Sequence, residues 1–379
     1  MKELRDLIGA ANSLKANNEP FAIASIVRVE GSAFRRPGAR MLIRADGSTV
    51  GAISGGCLEA EVVARAAEVL KTGMPAIQTF ELSEDDYIRG FGTGCGGDID
   101  VLIEKCPVDG HISVLSALEN ILNHRYRSIL ATVVKTTTEN ELLGKRVIVG
   151  AGKTMESDLP LPVLSLVGDL FDSDKSYSSP VIVSRKIGED EIDILIEPMN
   201  PPVRLVIVGD GPDIHALVKV SSLMGWRTEI IGQKPLGELK RLFPEADNFH
   251  FVMSAGDLAD DRLDPRTAVV TMTHNYLRDR DFLRRLIGSE AGYFGALGRG
   301  VRTNRMLKEL QEQGFKIDQT SLDRLYGPAG LDIGSEAPEE IALAIVAEIQ
   351  SVLSGRPAGA LRERKGPIHT PMAHLKEEG

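Results

Sequence analysis

Cysteine is scarce in this chain. Its 379 residues include three, Cys57, Cys95 and Cys106, and none falls in a C-x-x-C pair, which excludes a disulfide framework and a closed thiolate zinc site. Positive charge is also in deficit. A formal net charge of -10 disfavours non-specific binding to nucleic acid or to an anionic membrane surface. No apolar run approaches the length of a membrane span. Residues 1–20 carry Lys2, Glu3, Arg5 and Asp6 and read as an amphipathic helix rather than a secretion signal, so the expected compartment is the cytoplasm. What remains, 42% hydrophobic and 26% charged residues, is the composition of a globular protein, and the length argues for two or three domains.

The most informative segment is Gly51-Ala52-Ile53-Ser54-Gly55-Gly56-Cys57-Leu58-Glu59, a bend of small residues leading into an amphipathic helix that runs to about Lys71. A helix N-terminus favours negative charge, so a thiol there is placed to ionise, and Gly55 and Gly56 let a ligand approach the backbone. A free cysteine is equally a small buried hydrophobe, and paired glycines equally make a plain turn. A second glycine-dense loop, Gly92-Thr93-Gly94-Cys95-Gly96-Gly97, adds a second thiol. Between β-like segments, Glu30 to Arg40 carries Arg35, Arg36 and Arg40 among small residues, and their planar forks suit phosphate or another oxoanion. Soft thiolates with anion-binding arginines point to an anionic ligand with a thiophilic component.

Along the chain, Leu4 to Leu14 reads as a helix, Phe21–Val27 and Arg40–Arg44 as strands, Ser113 to Leu122 as a helix, and Ser128–Val134 and Gly144–Gly150 as strands. The second set echoes the first, with Gly38-Ala39-Arg40-Met41-Leu42-Ile43 facing Gly144-Lys145-Arg146-Val147-Ile148-Val149, which suggests a degenerate internal repeat lacking the cysteine. Beyond the linker Pro198-Met199-Asn200-Pro201-Pro202, the buried-strand run Val203–Val208 leads to Gly209-Asp210-Gly211-Pro212-Asp213-Ile214 and then to alternating helices and strands. We therefore expect an α/β protein: an N-terminal α/β domain over 1–108, a middle α/β segment over 109–200, a C-terminal Rossmann-like doubly wound parallel sheet over 201–354, and a tail over 355–379.

Gly209 and Gly211 satisfy the context of a dinucleotide fingerprint, but Ile214 replaces its third small residue, and Ile230-Ile231-Gly232-Gln233-Lys234 ends the next strand without a ribose-binding carboxylate. An NAD(P) cofactor thus stays open. His274, in Thr271-Met272-Thr273-His274-Asn275, sits where open α/β sheets bind ligands and suits an acid, a base or a loop hydrogen bond.

Gly31-Ser32, Pro37-Gly38-Ala39-Arg40-Met41, Ser54-Gly55-Gly56-Cys57-Leu58-Glu59 and Gly94-Cys95-Gly96-Gly97 together resemble the XdhC/CoxI family of xanthine dehydrogenase accessory proteins. Gly209-Asp210-Gly211-Pro212-Asp213, Thr273-His274-Asn275, Tyr293-Phe294-Gly295-Ala296-Leu297-Gly298, Gly330-Leu331-Asp332-Ile333-Gly334 and Pro338-Glu339-Glu340-Ile341-Ala342 are similar to its C-terminal Rossmann domain. The resemblance implies a non-catalytic chaperone that binds molybdenum cofactor (molybdopterin), supports its sulfuration by a cysteine desulfurase and delivers it to a molybdenum hydroxylase. It also implies Cys57 as the residue nearest the metal. With it we expect Cys95 as a second thiol, Arg36 and Arg40 near the pterin phosphate, a nucleotide sensed at Gly209, Gly211 and His274, and a homodimer. The competing readings are an NAD(P)-dependent oxidoreductase with His274 as acid or base, and a nucleotide-sensing binding protein without molybdenum.

Overall fold

The computed structural model describes residues 1–379 apart from 32–34, 83–96, 107–112, 138–139, 151–152, 162, 166–178, 188–189, 259–262, 367, 369–371 and 377–379. Two compact units divide the chain, one spanning Glu3–Pro201 with the C-terminal stretch from Lys365, the other formed mainly by Pro202–Arg364.

In the first unit, helix α1 (Lys2–Ala16) precedes strands β1 (Phe21–Val29), β2 (Arg40–Arg44) and β3 (Thr49–Gly51), helix α2 (Glu59–Thr72), and strands β4 (Ala76–Leu82) and β5 (Gly97–Cys106). These five strands form one antiparallel sheet in the order β3-β2-β1-β5-β4. Helix α3 (Val114–Asn123), N-capped by the Ser113 hydroxyl, opens a second round: β6 (Ser128–Thr136), β7 (Arg146–Gly150), β8 (Lys153–Ser157), β9 (Val181–Ile187) and β10 (Asp190–Met199). Their order is β9-β10-β6-β7-β8, with β17 (Ala373–Lys376) added beside β9. Read from the other edge, 8-7-6-10-9 repeats 3-2-1-5-4, so the echo seen in the sequence is an architectural duplication.

Side-chain alternation along β1 sorts the core. Ala22, Ala24 and Ile26 face α2 with Val62, Ala66 and Val69, whereas Phe21 and Ile23 join Leu7 and Leu14 of α1 and Leu118 and Ile121 of α3 in a core that also takes Leu130 and Ile148 from the second sheet. The two copies therefore share one interior.

In the second unit, β11 (Arg204–Val208), α4 (Ile214–Leu223), β12 (Arg227–Gly232), α5 (Leu236–Leu242), β13 (Asn248–Phe251), β14 (Thr267–Thr271), α6 (Tyr276–Leu286), β15 (Tyr293–Ala296), α7 (Gly300–Glu312), α8 (Gln319–Asp323), β16 (Leu325–Tyr326) and α9 (Pro338–Leu353) build a sheet of order β13-β12-β11-β14-β15-β16. All of its pairings are parallel. This is the 3-2-1-4-5-6 order of a Rossmann domain. Both faces are covered. Leu205 and Ile207 of β11 pack against α4 and α9, and Val206 and Val208 pack against α6 and α7. The expected parallel sheet is present, and its two edge strands, the half-exposed β13 and the two-residue β16, gave no sequence signal.

Candidate functional site

Cys57 lies one residue before the Leu58 N-cap of α2, half-buried against the core under that helix, with its thiol free. The loop before it is organised by Ser54. Its hydroxyl accepts from the backbone N–H groups of Gly56 (3.1 Å) and Leu58 (3.2 Å) and donates to the Glu59 carboxylate, which also accepts from Ser54 N (2.8 Å). Burial pushes the Glu59 carboxyl up, but these hydrogen bonds outweigh it and hold the group below the usual carboxylate range. The negative charge drawn to the start of α2 is thus that of Glu59. Glu59 shares the helix N-terminus with Cys57.

Gly55 and Gly56 present open backbone: a Cβ built on either meets nothing within 4 Å among the described residues. Behind them, Ala52 N donates to Glu3 Oε1 (3.2 Å), and Arg35 Nη2 donates to the same oxygen (2.6 Å), so Glu3 ties the arginine loop to the cysteine loop. Arg36 follows with its Nε buried and without a hydrogen-bond partner among the described residues. Cys95 and its loop up to Gly96 lie outside the described residues; Gly97 opens β5. The third cysteine is of another kind. Cys106 is 1% exposed, and burial, with Glu104 nearby, pushes its thiol up to about 12.

Arg40, expected near the pterin phosphate, is paired within the fold. It is 6% exposed, its Nη2 donates to Glu197 at 2.9 and 2.7 Å and its Nη1 to the Gly38 carbonyl at 2.7 Å, while its Nε, like that of Arg36, is buried without a hydrogen-bond partner among the described residues. The sequence showed an arginine in a polar loop but not the carboxylate far along the chain that neutralises it.

At the switch point of the parallel sheet, Gly209 has φ +147°, and a Cβ there would sit 2.6 Å from the Met272 carbonyl oxygen, so β11 and the end of β14 meet too closely for any other residue. The expected Gly209, Gly211 and His274 do converge. His274, at φ 56°, places Nε2 2.9 Å from Asp213 Oδ2, and a Cβ on Gly211 would lie 2.7 Å from Asp213 Oδ1. A carboxylate therefore faces the place where the start of α4 would receive a pyrophosphate, and it makes no capping hydrogen bond. Asp210 is tied to the end of β12, where no acidic residue stands: its Oδ2 accepts from Gln233 N (2.8 Å) and Lys234 N (3.0 Å), while Lys234 Nζ donates to the Asp210 carbonyl (2.7 Å). Ile214 is fully buried and packs in the core beneath Gly209. Two carboxylates and a committed lysine make this crevice a poor fit for NAD(P).

Among the described residues no group of three or more His, Cys, Asp or Glu side chains gathers to hold a metal ion, and no helix is long and apolar enough to cross a membrane.

Comparison with known proteins agrees with this anatomy. The chain is 27% identical over 339 residues to a Bacillus subtilis protein described as a probable xanthine dehydrogenase subunit, covering 89% of this chain and 94% of that one. It is 25% identical over 333 residues to the molybdenum cofactor insertion chaperone PaoD of Escherichia coli, covering 87% and 82%. A crystal structure of a xanthine dehydrogenase from Bacillus halodurans superposes with a TM-score of 0.71 at 28% identity, over 92% of this chain and 96% of that one. Residues 14–81 match the XdhC and CoxI family and residues 205–349 match the XdhC Rossmann domain, and the chain belongs to this family.

Proposed function

We propose that this protein is a maturation factor that binds molybdenum cofactor and delivers it to a xanthine dehydrogenase-type molybdenum hydroxylase. The observation that carries the reading is the free Cys57 thiol beside the open Gly55–Gly56 backbone. A single soft ligand suits a metal that arrives already chelated by its own organic group, rather than a bare ion needing a protein cage. Arg36, with an unsatisfied buried Nε, offers charge for a phosphate on that group, while Arg40 is paired with Glu197. When bound, the cofactor supplies the redox metal; the chain contributes one thiolate ligand, backbone N–H groups and a partly water-excluded wall. The relative named as a molybdenum cofactor insertion chaperone supports the same reading.

In this account Cys57 would hold the cofactor, with Cys95 as a second thiol near it, while a cysteine desulfurase supplies the sulfur for its sulfuration, and a homodimer would shelter it. The protein itself needs no turnover. The Rossmann crevice is not assigned an NAD(P) cofactor, because Asp210 and Asp213 occupy it. The test is activation of an apo molybdenum hydroxylase by cofactor in the presence of wild type, Cys57→Ser or Cys106→Ala. We expect activation with wild type and Cys106→Ala and its loss with Cys57→Ser; equal activation by all three would remove Cys57 from the mechanism.

A further inference from the structure

Three elements of the first unit converge on one carboxylate. Glu3, in the first turn of α1, accepts at Oε1 from Arg35 Nη2 (2.6 Å), in the loop between β1 and β2, and from Ala52 N (3.2 Å), just past β3; Arg35 also donates to Oε2. The Ala52 N–H is offered by a tight bend at Gly51, whose φ is +80° and where a Cβ would stand 2.7 Å from the Arg40 carbonyl oxygen. A guanidinium fork and a backbone N–H that meet at one oxygen beside a glycine are the donor set of an oxoanion site.

Glu3 fills that site loosely. Its side chain is 40% exposed and that of Arg35 28%, so the pair faces solvent and adds little to the stability of the fold. Helix α1 is anchored independently by the buried Leu7, Ala11 and Leu14. Turning the Glu3 side chain into solvent therefore frees both donors without moving the helix. A phosphate group carries more negative charge than a carboxylate and a third oxygen, which makes it a strong competitor for the same donors.

We propose that Arg35 and the Ala52 N–H form a subsite for a phosphate group, and that Glu3 occupies it as an internal competitor which the phosphate displaces. The subsite stands whether or not Cys57 holds a metal. Because only molecules with Glu3 turned away can bind, this carboxylate lowers the apparent affinity for phosphate, and removing its charge raises it.

The test is titration of the full-length protein with inorganic phosphate at constant ionic strength, followed by phosphorus NMR. Glu3→Gln keeps the shape of the side chain and removes its charge. It should bind phosphate about five-fold more tightly than wild type, the factor set by the worth of one exposed ion pair. Arg35→Ala should lose binding, and Glu68→Gln, which opens the ordinary exposed pair of Glu68 with Arg65 on α2, should bind as wild type. No phosphate binding by Glu3→Gln, binding no tighter than that of wild type, or full binding by Arg35→Ala would overturn the proposal. The rate at which Glu3→Gln releases bound cofactor identifies the source of the group: slower release than from wild type assigns the phosphate to the cofactor, and unchanged release assigns it to free phosphate.

Discussion

Arg40 and Glu197, separated by 157 positions in sequence, form a buried two-pronged ion pair whose counterpart is Arg146 with Glu104. The two pairs run in opposite directions between the sheets. Arg40 on β2 of the first sheet reaches β10 of the second, and Arg146 on β7 of the second reaches β5 of the first. Registers match as well: Arg40 lies opposite Ser25 and Arg146 opposite Thr132, while Glu104 lies opposite Ile23 and Glu197 opposite Leu130. Even the turn before each arginine is repeated. Gly38 (φ +93°) and Gly144 (φ +81°) each approach the partner glutamate so closely that a Cβ would lie 2.7 and 2.8 Å from its Oε1. The duplicated halves are thus joined by exchanged charges across a shared core.

Removing one member of such a pair leaves a buried charge without compensation. Arg40→Ala should lower unfolding free energy by about 3–5 kcal/mol in chemical denaturation, and Arg40→Met with Glu197→Leu should recover most of that loss. A loss under about 0.5 kcal/mol in the single variant, the range of ordinary surface changes, would show that the pair is solvated.

The duplication was legible in outline because strand β2 and its counterpart β7 carry the same glycine-to-arginine spacing, and the helices and strands around them carry clear periodicity. The exchange of carboxylates was not legible. Glu104 and Glu197 sit in strands whose alternation marks them only as polar positions, and pairing over such separations is decided by tertiary packing. The same holds at the switch point. Gly209 and His274 announce a ligand crevice, whereas the turning of Asp210 toward Gln233 and Lys234, and of Asp213 toward His274, depends on backbone geometry that spacing does not encode.

Glycines in the two sites should respond differently to alanine. Gly209→Ala places a methyl group against the Met272 carbonyl at a φ that alanine rarely adopts, so the Rossmann unit should lose several kcal/mol of stability (about 1–3 from the backbone alone). Gly55→Ala meets nothing within 4 Å among the described residues and should melt as wild type. Calorimetry on both variants checks the contrast.

Acid should destabilise the Rossmann unit through Glu229. Burial pushes its carboxyl up, but hydrogen bonds from His250 and Arg204 and their charges prevail and bring it down to about 2, from 4.5. A folded-state value below the unfolded one adds stability above the unfolded value, and that stability is lost as pH falls through the folded one. The stability gap between wild type and Glu229→Gln should therefore be full above pH 5 and shrink between about pH 4.5 and 2. A gap that is constant across this window would contradict the ion-pair geometry.

The two described thiols should react unequally with iodoacetamide. In the native protein Cys57, half-exposed, should be alkylated, whereas Cys106, buried and pushed up to about 12, should react only on unfolding. Peptide mapping by mass spectrometry reads both sites in one experiment.

The central claim, that Cys57 anchors molybdenum cofactor, is tested most directly by incubating the protein with cofactor under anaerobic conditions and measuring retained molybdenum and extractable pterin in wild type and Cys57→Ser. The account predicts near-stoichiometric retention of both in wild type and a large fall of both in the variant. No retention by wild type, or equal retention by the two proteins, would contradict it.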